Sequence, residues 1–463
     1  MNSRLVKTVV ISVIAAAAAA VFIFLGISTF LGSRIDNFGK LSDVVEMTEE
    51  PELSAWDENA DAVITVSFSD VIHRIDDRIY GADLADGMEL LAPKDALTIQ
   101  KLSVLRLGGE DFSRFDMSDF SIVDENGVKT VIPAFGETLA WFNEAQTDVV
   151  LQINMLSSLS EDTLCPSSPE LAIDYLKKLK EQYGVRIKYV SLDNEPMNWN
   201  DAHKAFIKET CTCERYCEAF AQYAKAIKLC DSDIVIIGLD GTQESGWNRE
   251  FLTFCAEYEK DNGVRILDML SLHPSFENGS QAQQYIGEVK KQIDEYYPET
   301  AIAFGEYRVE NANGDTTLQA LELASVLGKM AEEEVGLACY STLLDSEKNA
   351  MIDDGGVVYD GVCYGEKRPS FYTFHMMSNF LTGSLASCSC SDEALETYAV
   401  TDGNVKRIIA VNTAGRDKKC CFSVDIDRLD PFSFDIPART VTVLEFNGET
   451  VLSYICRTDN LRE

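Results

Sequence analysis

Two carboxylic acids in this chain stand at the ends of strand-like runs, each in a setting that suits chemistry. Glu195 follows Tyr189-Val190-Ser191-Leu192 within Asp193-Asn194-Glu195-Pro196, and Glu306 closes Ala301-Ile302-Ala303-Phe304-Gly305 just ahead of Tyr307. Acids at the C-terminal ends of two parallel strands face each other when the sheet closes into a barrel. Two opposed carboxylates are what cleavage of a glycosidic bond requires: one protonates the departing oxygen, and the other attacks the anomeric carbon or activates a water. The pair sits about 5–5.5 Å apart when configuration is retained. Asn194 sets an amide beside the first acid, where it can donate to a sugar 2-hydroxyl. Arg106 ends a third run, Val104-Leu105-Arg106-Leu107, and can balance the charge of an attacking carboxylate. A lone acid at a strand end is more often half of a structural ion pair. The Asn-Glu-Pro and Gly-Glu-Tyr contexts taken together favour the chemical reading.

For these acids to meet, a barrel has to form, and the hydrophobic pattern supplies one. Strand-like runs recur at Ile79–Ala82, Val104–Leu107, Val149–Ile153, Tyr189–Leu192, Ile234–Gly238, Met269–Leu272, Ala301–Phe304 and Gly336–Tyr340. Amphipathic segments lie between them, among them Glu170–Tyr183, Cys217–Leu229 and Leu318–Glu333. Continuous apolar strands alternating with such helices predict a parallel sheet covered on both faces. Eight units in this span fit a (β/α)8 (TIM) barrel, and no Gly-rich phosphate loop after the first strand argues for an open doubly wound sheet. Beyond about Phe380 the strands Thr397–Val400, Arg407–Val411 and Thr440–Leu444 follow one another without helices, which predicts a C-terminal β-sandwich. The alternating run Ile64–Phe68 has no place in the barrel count and is expected to join that module. The class is therefore α/β, a barrel plus a β-sandwich that also takes the first strand of the body. The boundaries read as an N-terminal apolar segment 1–34, an acidic linker 35–61, a strand joining the sandwich 62–75, the barrel 76–380, the sandwich 381–450 and a tail 451–463.

Composition limits the partners. With 40 basic against 76 acidic residues in 463, the net charge is −36. Such a field repels nucleic acid and leaves a neutral polymer free to approach. Arg4 and Lys7 precede an apolar run from Thr8 to Leu31, about 24 residues, the length of a membrane-spanning helix. The basic flank predicts a cytoplasmic N-terminus and a body on the outer face of the membrane, or a secreted one if the segment is removed as a signal. Thirteen cysteines, an odd number, include the cluster Cys211, Cys213 and Cys217. With four histidines and no pair of C-x-x-C motifs they do not make a zinc site. Export would allow one or two disulfides without saying which.

Ser191-Leu192-Asp193-Asn194-Glu195-Pro196, Asn262-Gly263-Val264-Arg265-Ile266-Leu267-Asp268 and Leu272-His273-Pro274 resemble glycoside hydrolase family 44, and Leu105–Gly109 and Gly305–Tyr307 fit its second and seventh strands. The resemblance covers about residues 62–448. It implies a retaining enzyme acting on β-1,4-glucans, an endoglucanase or xyloglucanase, with Glu195 as acid/base and Glu306 as nucleophile. Asn194, Arg106, His273 and Tyr307 would shape the subsite where the bond breaks. No cofactor is required. The family admits a structural calcium, though no dense run of Asp demands one here, and Asn311–Asp315 reads equally as a turn. The chain departs from the family at Glu110, at Pro274-Ser275, and in lacking a Trp at the end of the eighth strand. Tyr340, Trp199 and Trp247 are the aromatics that would take over the sugar platform. These departures bear on the sugar more than on the reaction. Xylan, mannan or a glucuronide-bearing polymer stays open as substrate, as does a non-catalytic surface protein that binds glycans.

Overall fold

The computed structural model describes residues 44–84, 102–159, 164–242, 246–310, 313–344, 350–353, 358–359, 362–363, 367–448 and 450–457. Met1–Val44 and Val45–Glu463 separate as two units, and the fold below is that of the second. The expected membrane segment over 1–34 lies outside the described residues. Among those that are described, no helix is long and apolar enough to cross a membrane.

Eight parallel strands form the barrel: β1 (Gly81–Leu84), β2 (Val104–Leu107), β3 (Asp148–Ile153), β4 (Tyr189–Leu192), β5 (Val235–Thr242), β6 (Met269–His273), β7 (Ala301–Val309) and β8 (Leu337–Tyr340). Pairing of β6 with β7 and return of β8 onto β1, Cys339 beside Gly81, close the sheet. Helices follow the strands: α1 (Phe135–Glu144), α2 (Pro169–Tyr183), α3 (Cys213–Cys230), α4 (Asn248–Asn262), α5 (Gly279–Tyr296), α6 (Thr316–Glu332) and α7 (Pro369–Phe380). Their ends are written locally. Ser168 accepts from the Leu171 amide ahead of Pro169, and Gly184 closes α2 at φ 71. Thr212, Asn278 and Asp315 cap α3, α5 and α6 in the same way. Each such cap satisfies an amide that the first helical turn leaves open.

Strand periodicity sets the site above an apolar floor. Val104, Val150, Tyr189, Met269 and Ala303 pack in one buried cluster inside the barrel. Two residues further along the same strands stand Arg106, Gln152, Ser191, Ser271 and Gly305. Because side chains alternate along a strand, these residues point inward one layer higher. Two irregularities in register, between Leu239 and Gly241 on β5 and between Phe304 and Tyr307 on β7, break that alternation where the acids Asp240 and Glu306 stand.

The second module is one continuous ten-stranded sheet. It curls so that Ile64, Ala399, Phe422, Phe432 and Phe446 share a single core. The strand Ala62–Arg74 lies in its middle, antiparallel to Ser384–Cys390 and parallel to Lys418–Val424. The stretch read as acidic linker differs from expectation. Val45–Glu49 pairs with Thr450–Cys456, and Ser54–Ala55 with Phe432–Ile436, so the sheet also runs past residue 450. Both short strands are edges. Charge on an edge strand keeps a sheet from pairing with other chains, so an edge and a solvated linker have the same composition. Across the junction Tyr398 donates to the Ser325 carbonyl at 3.3 Å, Lys329 pairs with Glu396 at 3.0 Å, and His73 Nε2 lies 2.8 Å from the Ala331 carbonyl.

Candidate active site

Glu195 and Glu306 meet at His273. Nδ1 of the ring is 3.0 Å from Glu195 Oε1 and 3.9 Å from Glu306 Oε1. Those two oxygens therefore lie no more than about 7 Å apart, close enough for both acids to reach one glycosidic bond. Both side chains keep partial access to solvent, 28% for Glu195 and 18% for Glu306.

Arg106 is the hub beneath them. Wholly buried, it donates from Nη1 to Glu306 at 2.8 Å and Asp83 at 3.0 Å, and from Nη2 to Asn194 at 2.7 Å and Asp240 at 3.1 Å. Since Arg106 holds Asn194 Oδ1, the Asn194 amide nitrogen is left to donate elsewhere. Gly108 permits this packing, because a Cβ there would stand 2.7 Å from Arg106 Cζ. Asp240 also receives the hydroxyls of Ser191, at 2.5 Å, and Ser271. Burial raises its proton affinity, but Arg106, His273 and Ser191 outweigh burial and hold the carboxyl well below the usual range.

The turn carrying Glu195 is strained and braced. Asp193 and Glu195 both adopt positive φ, 66° and 43°, a region that costs residues with a Cβ. Asp193 is held by the Met155 amide at 2.6 Å, by the Asn194 amide at 2.9 Å and by the Ser113 hydroxyl. Burial pushes its carboxyl up to about 7 against the pull of these bonds. The Glu195 amide donates to the Asp240 carbonyl at 2.9 Å, and Trp199 Nε1 to the Asn194 carbonyl at 2.9 Å.

Proton affinities divide within the site. For Glu195, burial raises the affinity, but the hydrogen bond and charge of His273, with a bond from Asn198 at 2.7 Å, bring the carboxyl below its ordinary value. His273 itself is pushed down by burial and up by Glu306, Asp240 and Glu195, ending at about 10, so the imidazole is a cation at neutral pH. Its Nε2 stands 3.5 Å from Asp240 Oδ1, an ion-pair distance without a hydrogen bond.

Glu195, Glu306, Asn194, Arg106 and His273 thus come together. The aromatic expectations fare differently. Trp199 is buried beneath the Glu195 turn, edge-on to Tyr216 at 6.2 Å. Tyr307 and Tyr340 are wholly buried and edge-to-face at 5.5 Å, with Tyr340 also bonded to Ser370 of α7. None of the three offers a face to a sugar. The β7 irregularity explains Tyr307: plain alternation from Ala303 through Gly305 would have turned it inward in place of Glu306. Trp247, ahead of α4, is half-buried, its ring 6.4 Å from that of Tyr216. Of the stretch considered for calcium, Asn311 and Ala312 lie outside the described residues, and its acid Asp315 caps α6 and pairs with Arg439 at 3.0 Å. Cys211, Cys213 and Cys217 are free thiols. Sequence reasoning passed over Asp83 and Asp240, although both are strand-end acids like Glu195.

Residues 143–278 match the family model for glycoside hydrolase family 44. No curated protein matches the chain. Among solved structures, it is similar to a family 44 endoglucanase from Clostridium acetobutylium, at 16% identity and TM-score 0.64, over 86% of this chain and 100% of that one. A family 44 xyloglucanase from Paenibacillus polymyxa shares 14% identity at TM-score 0.62, over 86% of this chain and 99% of that one. The family 51 α-L-arabinofuranosidase of Thermotoga petrophila shares 17% at 0.61, over 86% and 100%. At these identities the structural likeness is one of fold. The family match falls on the segment that carries Asn194, Glu195 and His273.

Proposed function

We propose that the chain hydrolyses β-1,4-linked, glucan-type polysaccharides with retention of configuration, Glu306 acting as nucleophile and Glu195 as acid/base. The observation that carries this reading is the convergence of both carboxylates on His273 Nδ1, at 3.0 and 3.9 Å. Glu306 attacks the anomeric carbon as Glu195 protonates the departing oxygen, leaving a glycosyl ester. Water, deprotonated by Glu195, then releases the sugar and restores both acids. The Asn194 amide, oriented by Arg106, donates to the 2-hydroxyl.

Its protein neighbours hold Glu195 low, the reverse of what a general acid needs. A sugar seated over it removes its remaining water and raises its proton affinity. The proton to load it sits on His273, 3.0 Å away. The glucan assignment leans on what the two family 44 neighbours are named for. Burial of Trp199, Tyr307 and Tyr340 favours a second reading, the same chemistry on another β-glycan. We also propose that the N-terminal apolar run keeps the enzyme at the outer face of a membrane, which fractionation of the full chain would check.

Incubation with a 2-deoxy-2-fluoro glycoside followed by peptide mass analysis should find the sugar on Glu306. Labelling elsewhere, or undiminished hydrolysis by Glu306→Gln, removes the assignment. A polysaccharide panel with anomeric analysis by NMR separates glucans from the alternatives.

A further inference from the structure

Six charged groups crowd the site above its apolar floor, and they do not balance. Arg106 and the His273 cation face the carboxylates of Asp83, Asp240, Glu195 and Glu306 from β1, β2, β5, β6, β7 and the turn after β4. The acids are unequally served. Asp240 receives two hydroxyls and Arg106. Glu195 receives Asn198 and His273 and reaches solvent. Glu306 takes Arg106 at 2.8 Å and is also partly exposed. Asp83 is wholly buried, with one donor on Oδ1, the Arg106 nitrogen that also serves Glu306, and none on Oδ2 among the described residues. Its place is fixed from behind: the Asp83 carbonyl accepts from Thr342 Oγ1 at 2.9 Å and the Leu343 amide at 3.1 Å. A buried anion so poorly solvated is the costliest of the four, and a proton is the cheapest remedy.

We propose that Asp83 is a positioning residue that keeps its proton in the working enzyme, steering Arg106 through Oδ1 while leaving the guanidinium charge to Glu306. Burial and then the charge of Glu306 push Asp83 up to about 8 against the pull of Arg106. The Cys339 thiol of β8, raised by its own burial and next by Asp83, stays uncharged beside it. Above that pH a second anion forms on the same nitrogen, draws Arg106 from Glu306 and slows the attack.

The kinetic part rests on Glu306 being the nucleophile; the protonation state does not. The direct test is an infrared difference spectrum of the full-length protein between neutral and alkaline pH. Wild type should lose a protonated-carboxyl band with a midpoint near 8 that is missing from Asp83→Asn. Carbon-13 NMR of aspartate-labelled wild type, which needs no variant, should show an Asp carboxyl titrating at that pH in addition to the Asp193 carboxyl near 7. The kinetic test is kcat/KM against pH on a β-glycoside with a nitrophenolate leaving group, which departs without help from Glu195. Its alkaline limb should move up by at least about one unit in Asp83→Asn. No band that separates the two proteins, no Asp carboxyl titrating near 8 beside that of Asp193 near 7, or an unmoved limb overturns the proposal. An enzyme inert on every glycoside would sink the catalytic reading while leaving the two spectroscopic results to stand.

Discussion

Replacing Arg106 by Lys is the sharpest test of how the site is held. The charge survives and only the fork is lost. The guanidinium makes four contacts from two nitrogens, to Glu306 at 2.8 Å, Asp83 at 3.0 Å, Asn194 at 2.7 Å and Asp240 at 3.1 Å. An ammonium carries its donors on one nitrogen and cannot serve both pairs. If it keeps the Glu306 side, Asn194 and Asp240 lose their donor in a site with no water access at Arg106. Hydrogen bonds to charged groups contribute about 1.5–3 kcal/mol each, so losing two lowers stability by about 3 kcal/mol or more. Catalysis suffers separately, because Asn194 is no longer turned toward the sugar. Loss of one preorganised donor typically costs about 10²–10³ in rate, and a drop of that size in kcat/KM is expected. Urea denaturation and kcat/KM on an activated aryl glycoside measure the two effects independently. A variant that melts with wild type and keeps kcat/KM within about threefold would show that Arg106 does not organise this site.

Gly305→Ala puts a Cβ into the Asp240 carboxylate, 2.9 Å from Ser271 Oγ and 3.1 Å from His273 Nε2. It should lower stability by about 1–3 kcal/mol and reduce kcat together with it, and full activity in a stable variant would contradict the geometry. Gly328→Ala drives into the Tyr398 ring at the junction with the sheet and should cost a similar amount with kcat unchanged, as paired melting and rate measurements would reveal. Trp199→Phe removes the bond that braces the Asn194 carbonyl, worth about 1 kcal/mol, so kcat should fall about fivefold; an unchanged kcat refutes the bracing role. Stability should decline from mildly acid toward alkaline pH. Asp83, Asp193 and His273 bind protons more tightly folded than unfolded, at about 8, 7 and 10. Their contributions are complete below the unfolded values and are lost as pH rises through the folded ones. Asp425, held at about 2 by bonds from Ser67, Ser69 and the Phe68 amide against its burial, opposes this only in strong acid. A urea midpoint that climbs between about pH 5 and 9 would contradict the signs.

The barrel was legible because its strands are buried on both faces and read as unbroken apolar runs, and because the helix caps at Ser168, Thr212, Asn278 and Asp315 are local chemistry. Glu195, Glu306 and Arg106 were legible as charged residues where such runs stop. The remainder of the site depends on parity. Period two predicts inward-facing residues correctly on β2, β3 and β4, where Arg106, Gln152 and Ser191 sit two places after the floor. On β5 and β7 one extra residue shifts the phase. Asp240 and Glu306 then turn inward, and Tyr307, the expected sugar contact, turns away into packing. No side-chain pattern announces such a bulge.

The same shift accounts for the crowding of acids. An inward Asp240 reaches the second nitrogen of Arg106 and leaves Glu306 and Asp83 to share the first. It also collects the Ser191 and Ser271 hydroxyls, which let it stay ionised while buried. With the strongest claim on the cations settled there, the remaining positive charge falls between one acid that reaches solvent and one that does not. Glu306, at the rim, reaches solvent; Asp83, sealed below it, has only a proton to offset its burial.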